Sequence, residues 1–218
     1  MLANFLELPS ELRNQIYELC LLHKEPLALW TGFNQRHELS TSLLRTNKTL
    51  HHEASSILYA YNRFDFTIAT PERIALFLQT IGRVNAGYIQ HVSVDFPIFY
   101  HGELSGVTLL DDSISIFASI QGSCVNLSTL TAFMGSALTM EFELDEQGNP
   151  ETIPRVLKLV DTLFRATSPL LKTIIVGVYN NCPRNFITEM ESCGWIIKAT
   201  NIQFSLAPAT ELELILCP

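Results

Sequence analysis

The apolar positions of this 218-residue chain change their period several times along its length. Leu12, Ile16, Leu19 and Cys20 fall at i, i+4, i+7 and i+8, which makes one stripe of a helix. Pro9 suits the first helical position, where the N–H it lacks would have no partner. Glu11 early and Lys24 late both favour the helix dipole, and Pro26 stops the run, so a helix is expected over 9–23. Residues 26–33 alternate weakly and predict a short strand. A second helix is expected from Ser40, Thr41 or Ser42, all good caps. It would carry Leu43, Leu50, Ala54, Ile57, Leu58 and Tyr61 on one face, with Asn47 interrupting. The period then drops to two: Phe64, Phe66 and Ile68 alternate with Asp65 and Thr67, as in a half-buried strand.

Beyond residue 70, helical and extended patterns take turns. Thr70-Pro71-Glu72 opens a helix carrying Ile74, Phe77, Leu78 and Ile81, with Gly82 as its expected stop. A strand follows over 89–96. Asp112 or Ser113 would cap a helix to about Gln121, and 127–133 is again extended. Pro154 opens a helix with Val156, Val160, Leu163 and Phe164, followed by a strand over 170–178. Pro183 opens a last helix with Phe186, Ile187 and Met190, ended by Gly194. Strands are expected over 195–199, 202–206 and 212–216. Residues 99–111 predict a loop, and 145–150 (Asp-Glu-Gln-Gly-Asn-Pro) a turn.

Three strands share a template. Ile89-Gln90-His91-Val92-Ser93-Val94, Leu127-Ser128-Thr129-Leu130-Thr131-Ala132 and Leu171-Lys172-Thr173-Ile174-Ile175-Val176 all fit L-x-x-L-x-L, centred on 92, 130 and 174. Their spacing exceeds the roughly 20–29 residues of a regular leucine-rich repeat. A genuine repeat and a chance match of apolar strands both fit it. Alternating helix and strand units nonetheless predict an α/β chain with a mostly parallel sheet.

Composition narrows the function. A 47% hydrophobic content supplies a packed core, and 17% charged residues are too few for a solvated, disordered chain. The net charge of −8 argues against nucleic acid, whose affinity rests on Lys and Arg neutralising phosphates. No basic n-region precedes an apolar core at the N-terminus, and no run approaches the roughly 18 apolar residues of a membrane span, so neither export nor membrane insertion is expected. Cys20, Cys124, Cys182, Cys193 and Cys217 are odd in number and contain no Cys-x-x-Cys pair. Free thiols in an intracellular, reducing setting, cytoplasm or nucleus, are expected. Asn47-Lys48-Thr49 and Asn126-Leu127-Ser128 match the glycosylation pattern, which carries no weight without export.

Candidate chemistry is sparse. Ser105 between Gly102 and Gly106 lacks the spacing of a nucleophile elbow, and no phosphate-cradling loop occurs. His51-His52-Glu53 is the most metal-like cluster. Adjacent helical residues point about 100° apart, so one half-buried and one solvated histidine are expected rather than a metal site. Asp111-Asp112 serves better as a helix cap than as a ligand pair. Trp30, between the first two helices, is expected to pack on the second helix, with a partner anchor as the alternative. An enzyme site would have to assemble from scattered polar residues such as His91, Asp95, His101 and Asp111. No enzyme, metal or cofactor is expected.

Leu8-Pro9-x-Glu11-Leu12-x-x-x-Ile16 resembles the opening of the F-box, and Leu44-Arg45-Thr46-Asn47-Lys48 its later helix. The combination is closer to fungal F-box-like proteins, in which Leu-Pro-x-Glu-Leu-Arg-x-x-Ile-Tyr is followed by a leucine-arginine-x-asparagine helix. That helix continues through Glu53-Ala54 and Leu58-Tyr59 to Asn62-x-Phe64-x-Phe66. Ile81-Gly82, Asn85-Ala86 and 89–97 extend the likeness. Arg13 and Tyr17 stand where the ordinary F-box is more apolar, and the stretch over 25–42 separates the helices by more than usual. The resemblance implies an F-box-like helical region over 1–68 with an inserted strand segment, and an irregular leucine-rich-repeat-like α/β region over 69–218.

The resemblance also implies an adaptor. Leu8, Pro9, Leu12 and Ile16 would dock on a Skp1-type linker of a cullin ubiquitin ligase, and the C-terminal part would hold an unknown protein substrate. A non-ligase interaction scaffold of the same fold is the alternative. If the sheet curves like a solenoid, Gln90, His91, Ser93, Ser128, Thr129, Thr131, Lys172 and Thr173 would line its concave face. Ile175 at such a position instead suggests a sheet covered on both faces.

Overall fold

A computed structural model describes residues 5–28, 39–102, 106–135, 152–179 and 182–200. The 29–33 part of the first expected strand, Trp30, Ser105, the 145–150 turn, the strands over 202–206 and 212–216 and Cys217 lie outside them. The first helix, α1 (Ser10–Leu21), starts after Pro9 and ends beside Leu22. A two-residue strand, β1 (Leu27–Ala28), follows. Residues Thr41–Arg45 form a 3₁₀ turn, and α2 (Lys48–Tyr61) begins only after it. The helix therefore starts later than the cap-rich 40–42 stretch suggests. Asn47, which interrupts the apolar face, is itself the cap, its side chain accepting the N–H of Leu50 at 2.9 Å.

The expected alternating strand after α2 is shorter than its pattern. β2 covers only Phe64–Asp65. Ile68 is not a strand residue: its φ is +61°, and its side chain is 79% exposed. Positive φ is unusual for a β-branched residue, and here the turn is held by carboxylates. Asp65 accepts Thr67 N–H and Oγ1–H, and Asp95 accepts the N–H of Ile68. α3 (Pro71–Tyr88) breaks at Gly82 (φ +79°), where only glycine is unstrained, and resumes a helical course afterwards.

β3 (His91–Asp95) is followed by β4 (Phe99–Gly102) and β5 (Gly106–Leu109), which pair antiparallel. This hairpin replaces the loop expected over 99–111. α4 (Asp111–Ser123) starts at the acidic pair itself, with Leu110 in the cap position, so Asp111 and Asp112 meet the helix dipole in the first turn without capping it. β6 (Thr129–Phe133), α5 (Thr152–Ala166), β7 (Thr173–Tyr179), α6 (Arg184–Ser192) and β8 (Ile196–Thr200) complete the described chain. Gly194, at φ +81°, makes the turn out of α6.

Among the described residues six strands form one sheet in the order β1-β2-β3-β6-β7-β8, every neighbouring pair parallel. The order never reverses. In a doubly wound sheet it turns back at a switch point, and helices cover both faces. Crossovers of one hand run in unreversed order put every connecting helix on the same face. The helices accordingly follow one another in a row: α1 packs on α2, α2 on α3, α3 on α4, α4 on α5 and α5 on α6. The fold is α/β and repeat-like, and the three template strands stand in register, Val92 beside Leu130 and Leu130 beside Ile174. Because β1 and β2 belong to the same sheet, the sheet runs across residue 68.

Alternation then sorts the side chains. Phe64, Val92, Val94, Leu130, Ala132, Ile174, Val176 and Val178 point into the core with Ile74, Leu78, Phe117, Ile120, Val160, Phe164, Phe186 and Met190 from the helices. Phe164 is its centre, with ring centroids 5.4 Å from Phe117, 5.9 Å from Phe96 and 5.3 Å from Trp195. Trp195 donates its indole N–H to Asp161 at 2.9 Å, and Arg165 bridges Asp161 to the Cys193 carbonyl, tying α5 to the end of α6. A second, smaller cluster of Tyr17, Leu21, Leu50, Ala54, Ile57 and Leu58 joins α1 to α2. Among the described residues no helix is long and apolar enough to cross a membrane.

Candidate interaction surfaces

The two faces of α1 differ in chemistry. Its inner face is carried by Arg13, Tyr17 and Leu21, at i, i+4 and i+8. Tyr17 and Leu21 are fully buried, each burial contributing about 1.5–3 kcal/mol. Arg13 donates to both carboxylate oxygens of Glu53 on α2, at 2.9 and 2.6 Å, and to the Leu8 carbonyl at 2.6 Å. The Tyr17 hydroxyl donates to Glu53 at 3.0 Å. The Arg13 hydrogen bonds hold the Glu53 carboxyl below its usual range, and burial pushes the Tyr17 phenol up to about 12. At the far end Asn62 is buried and fully used: it donates to the carbonyls of Leu21 (2.8 Å) and Leu58 (2.9 Å) and accepts the His23 N–H (2.8 Å).

The single stripe expected from Leu12, Ile16, Leu19 and Cys20 is therefore divided. Leu12 is 45% and Leu19 85% exposed, while Ile16 and Cys20 are half-buried at the boundary. Of the other expected linker contacts, Pro9 is exposed and Leu8 half-buried. Leu6 and Leu22 extend the exposed apolar surface at either end. Leu19, the most exposed apolar residue of α1, lies outside the F-box-like pattern, which ends at Ile16. Its signal was the helical spacing from Leu12.

The expectation for His51-His52-Glu53 is corrected in part. Both histidines are exposed, and Glu53 turns inward to Arg13 and Tyr17. Among the described residues no three potential metal ligands gather. Cys20, Cys124, Cys182 and Cys193 are free thiols, and burial pushes the Cys124 thiol up to about 12.

The second surface is the sheet face turned away from the helices. Register places His91, Thr129 and Thr173 in one line across it, and Ser93, Thr131 and Ile175 in the next. Five of the eight expected concave-face residues thus share this face. Gln90, Ser128 and Lys172 do not sit on it as strand residues. They lie just before their strands, where the Gln90 carbonyl accepts from Ser128 and Thr129, and the Ser128 carbonyl from Lys172 and Thr173. Ile175 belongs to the same face and is half-buried. It lines a pocket of about 240 Å³, and among the described residues no second helix layer covers it.

Ser93 and Thr131 lie deep in that pocket, 3% and 8% exposed. His91 Nε2 is 2.8 Å from Thr131 Oγ1. Phe133 lies across Gly177 so closely that a Cβ there would meet its ring at 2.6 Å. Arg63 and Lys198 border the pocket from opposite ends of the sheet, and neither was signalled by the repeat template. Burial, then Arg63 and Lys198, hold the His91 imidazole down to about 4, so it is neutral near pH 7. Asp95 is four residues along the same strand, about 13 Å away. Asp111 opens α4 on the opposite layer, and His101 lies on the separate hairpin, its side chain outside the described set.

Compared with protein-family models, with curated proteins and with solved structures, the chain gives no match.

Proposed function

We propose that this chain is an intracellular, non-catalytic adaptor that recruits protein substrates to a cullin ubiquitin ligase through a Skp1-type linker. The observation that carries the reading is the exposure of Leu12 and Leu19 on a helix whose other face is fastened to α2. Water-exposed leucines on an immobilised helix offer a docking surface whose backbone is already ordered, so binding costs mainly side-chain freedom. The F-box-like motif lies on the same helix, and the residues in which it departs from an ordinary F-box have an internal use. Arg13 and Tyr17 hold Glu53, so their polarity does not interrupt the outward face.

Capture of a purified Skp1-type protein by the wild-type chain tests this, alongside Leu12→Asp and Leu19→Asp. Both substitutions fall on exposed positions and are expected to leave the fold intact, which circular dichroism checks. Wild type is expected to bind and the variants to lose most of that binding. A folded wild-type chain that captures no linker overturns the ligase reading and favours the scaffold alternative. Folded variants that still bind overturn the assignment of Leu12 and Leu19.

A further inference from the structure

We infer that the pocket on the sheet face turned away from the helices receives an acidic side chain of an extended segment of a partner protein, drawn by the positive field of Arg63 and Lys198. This rests on the reading of the sheet as the substrate-holding half of an adaptor, and it names the chemistry that half selects. The first support is charge. The chain has 14 Lys and Arg against 22 Asp and Glu, yet among the described residues two cations and no carboxylate line this pocket. Among the described residues neither Arg63 nor Lys198 is in an ion pair. Arg63 donates one N–H to the Lys24 carbonyl. Two acids on the same face, Asp65 and Asp95, are engaged by Thr67 and by the N–H of Ile68, and neither lines the pocket. Two cations in a concave, partly desolvated site focus a positive field within an acidic protein.

The second support is size and polarity. A pocket of about 240 Å³ is smaller than the roughly 300–1,000 Å³ of a typical small-molecule site, so it fits a side chain presented by a larger partner. Ser93 and Thr131 supply hydroxyl groups at its base, and Ile175 with Phe133 supplies apolar wall for the methylene part of an Asp or Glu. His91 is neutral near pH 7 and is already engaged with Thr131, so it neither repels nor neutralises the guest.

The test uses the full chain on an array of acetylated, amidated peptide pools, each with one fixed central residue and randomised flanks. Asp and Glu pools are expected to retain the chain about tenfold better than Asn and Gln pools, ~1.4 kcal/mol. The preference should weaken with added salt. Lys198→Glu should abolish it and Lys198→Arg keep it, with both variants folded by circular dichroism and Lys198→Met as a neutral check. Equal retention of Glu and Gln pools, a stronger phosphoserine pool, or a preference that survives Lys198→Glu would overturn the inference. Linker capture measured on the same preparations separates the two readings. Capture without acidic preference sinks the pocket chemistry alone, and acidic preference without capture sinks the ligase reading alone.

Discussion

Arg13 on the first helix grips Glu53 on the second across 40 residues of chain, Nε to Oε2 at 2.9 Å and Nη2 to Oε1 at 2.6 Å. The pair is two-pronged and part-buried, the geometry in which an Arg–carboxylate contact also fixes orientation. It sets the rotation of α1 about its own axis, and so decides which leucines face water.

Glu53 makes stability depend on acid. Its folded pKa lies below the usual glutamate value of 4.5, so its contribution is fully present above that value and is lost as pH falls through the folded pKa. Glu53→Gln is expected to lower the Tm at neutral pH and to flatten the acid side of the Tm–pH curve. Thermal melts of both proteins across the acid range check this. An unchanged acid slope would show that the pair is not formed in solution.

Asn62 uses both ends of its amide on three backbone groups, two on or beside α1 and one on α2. Asn62→Ala leaves the Leu21 and Leu58 carbonyls and the His23 N–H without that partner. The expected loss is about 1–3 kcal/mol, read from the urea midpoint at unchanged m-value.

Neighbouring positions on α1 should respond oppositely. Leu21→Ala removes a fully buried side chain from the α1–α2 cluster and is expected to cost about 2–5 kcal/mol. Leu19→Asp alters a side chain that is 85% exposed and is expected to change stability by no more than about 0.5 kcal/mol. Urea titration of the two variants decides it. Comparable losses would mean that Leu19 is covered in the folded chain.

His91 adds a second acid-sensitive window. Its folded pKa is lowered from 6.5 to about 4, so between those values the unfolded chain takes up a proton that the folded one refuses. Stability therefore falls as pH drops through that window, by up to about 1.4 kcal/mol per pH unit. His91→Asn should remove this slope while leaving the lower-pH loss that belongs to Glu53. Denaturant midpoints at several pH values between 4 and 6.5 separate the two. Imidazole chemical shifts titrating near 6.5 would contradict a half-buried, neutral His91.

Much of the sheet was legible because a strand's period of two is a local property. Val92, Leu130 and Ile174 at matching template positions became neighbours in space, and the polar residues between them took the other face. Short elements were less legible. Four residues each in β4 and β5 leave too little periodicity to distinguish a hairpin from a loop, and Asn47 broke the helical face because it caps α2 rather than belonging to it.

The sequence by itself determined the alternation of helix and strand, the parallel sheet and the side-chain pattern on each strand, since all follow from local periodicity. Tertiary structure alone decided which side of α1 is outward and which charges share a pocket. Both depend on pairs distant in the chain. Arg13 finds Glu53 across 40 residues, and Arg63 and Lys198 approach His91 from opposite ends of the sheet. A helix can be amphipathic with two candidate faces, and its neighbour chooses between them, through the Glu53 carboxylate and the apolar cluster that buries Tyr17 and Leu21.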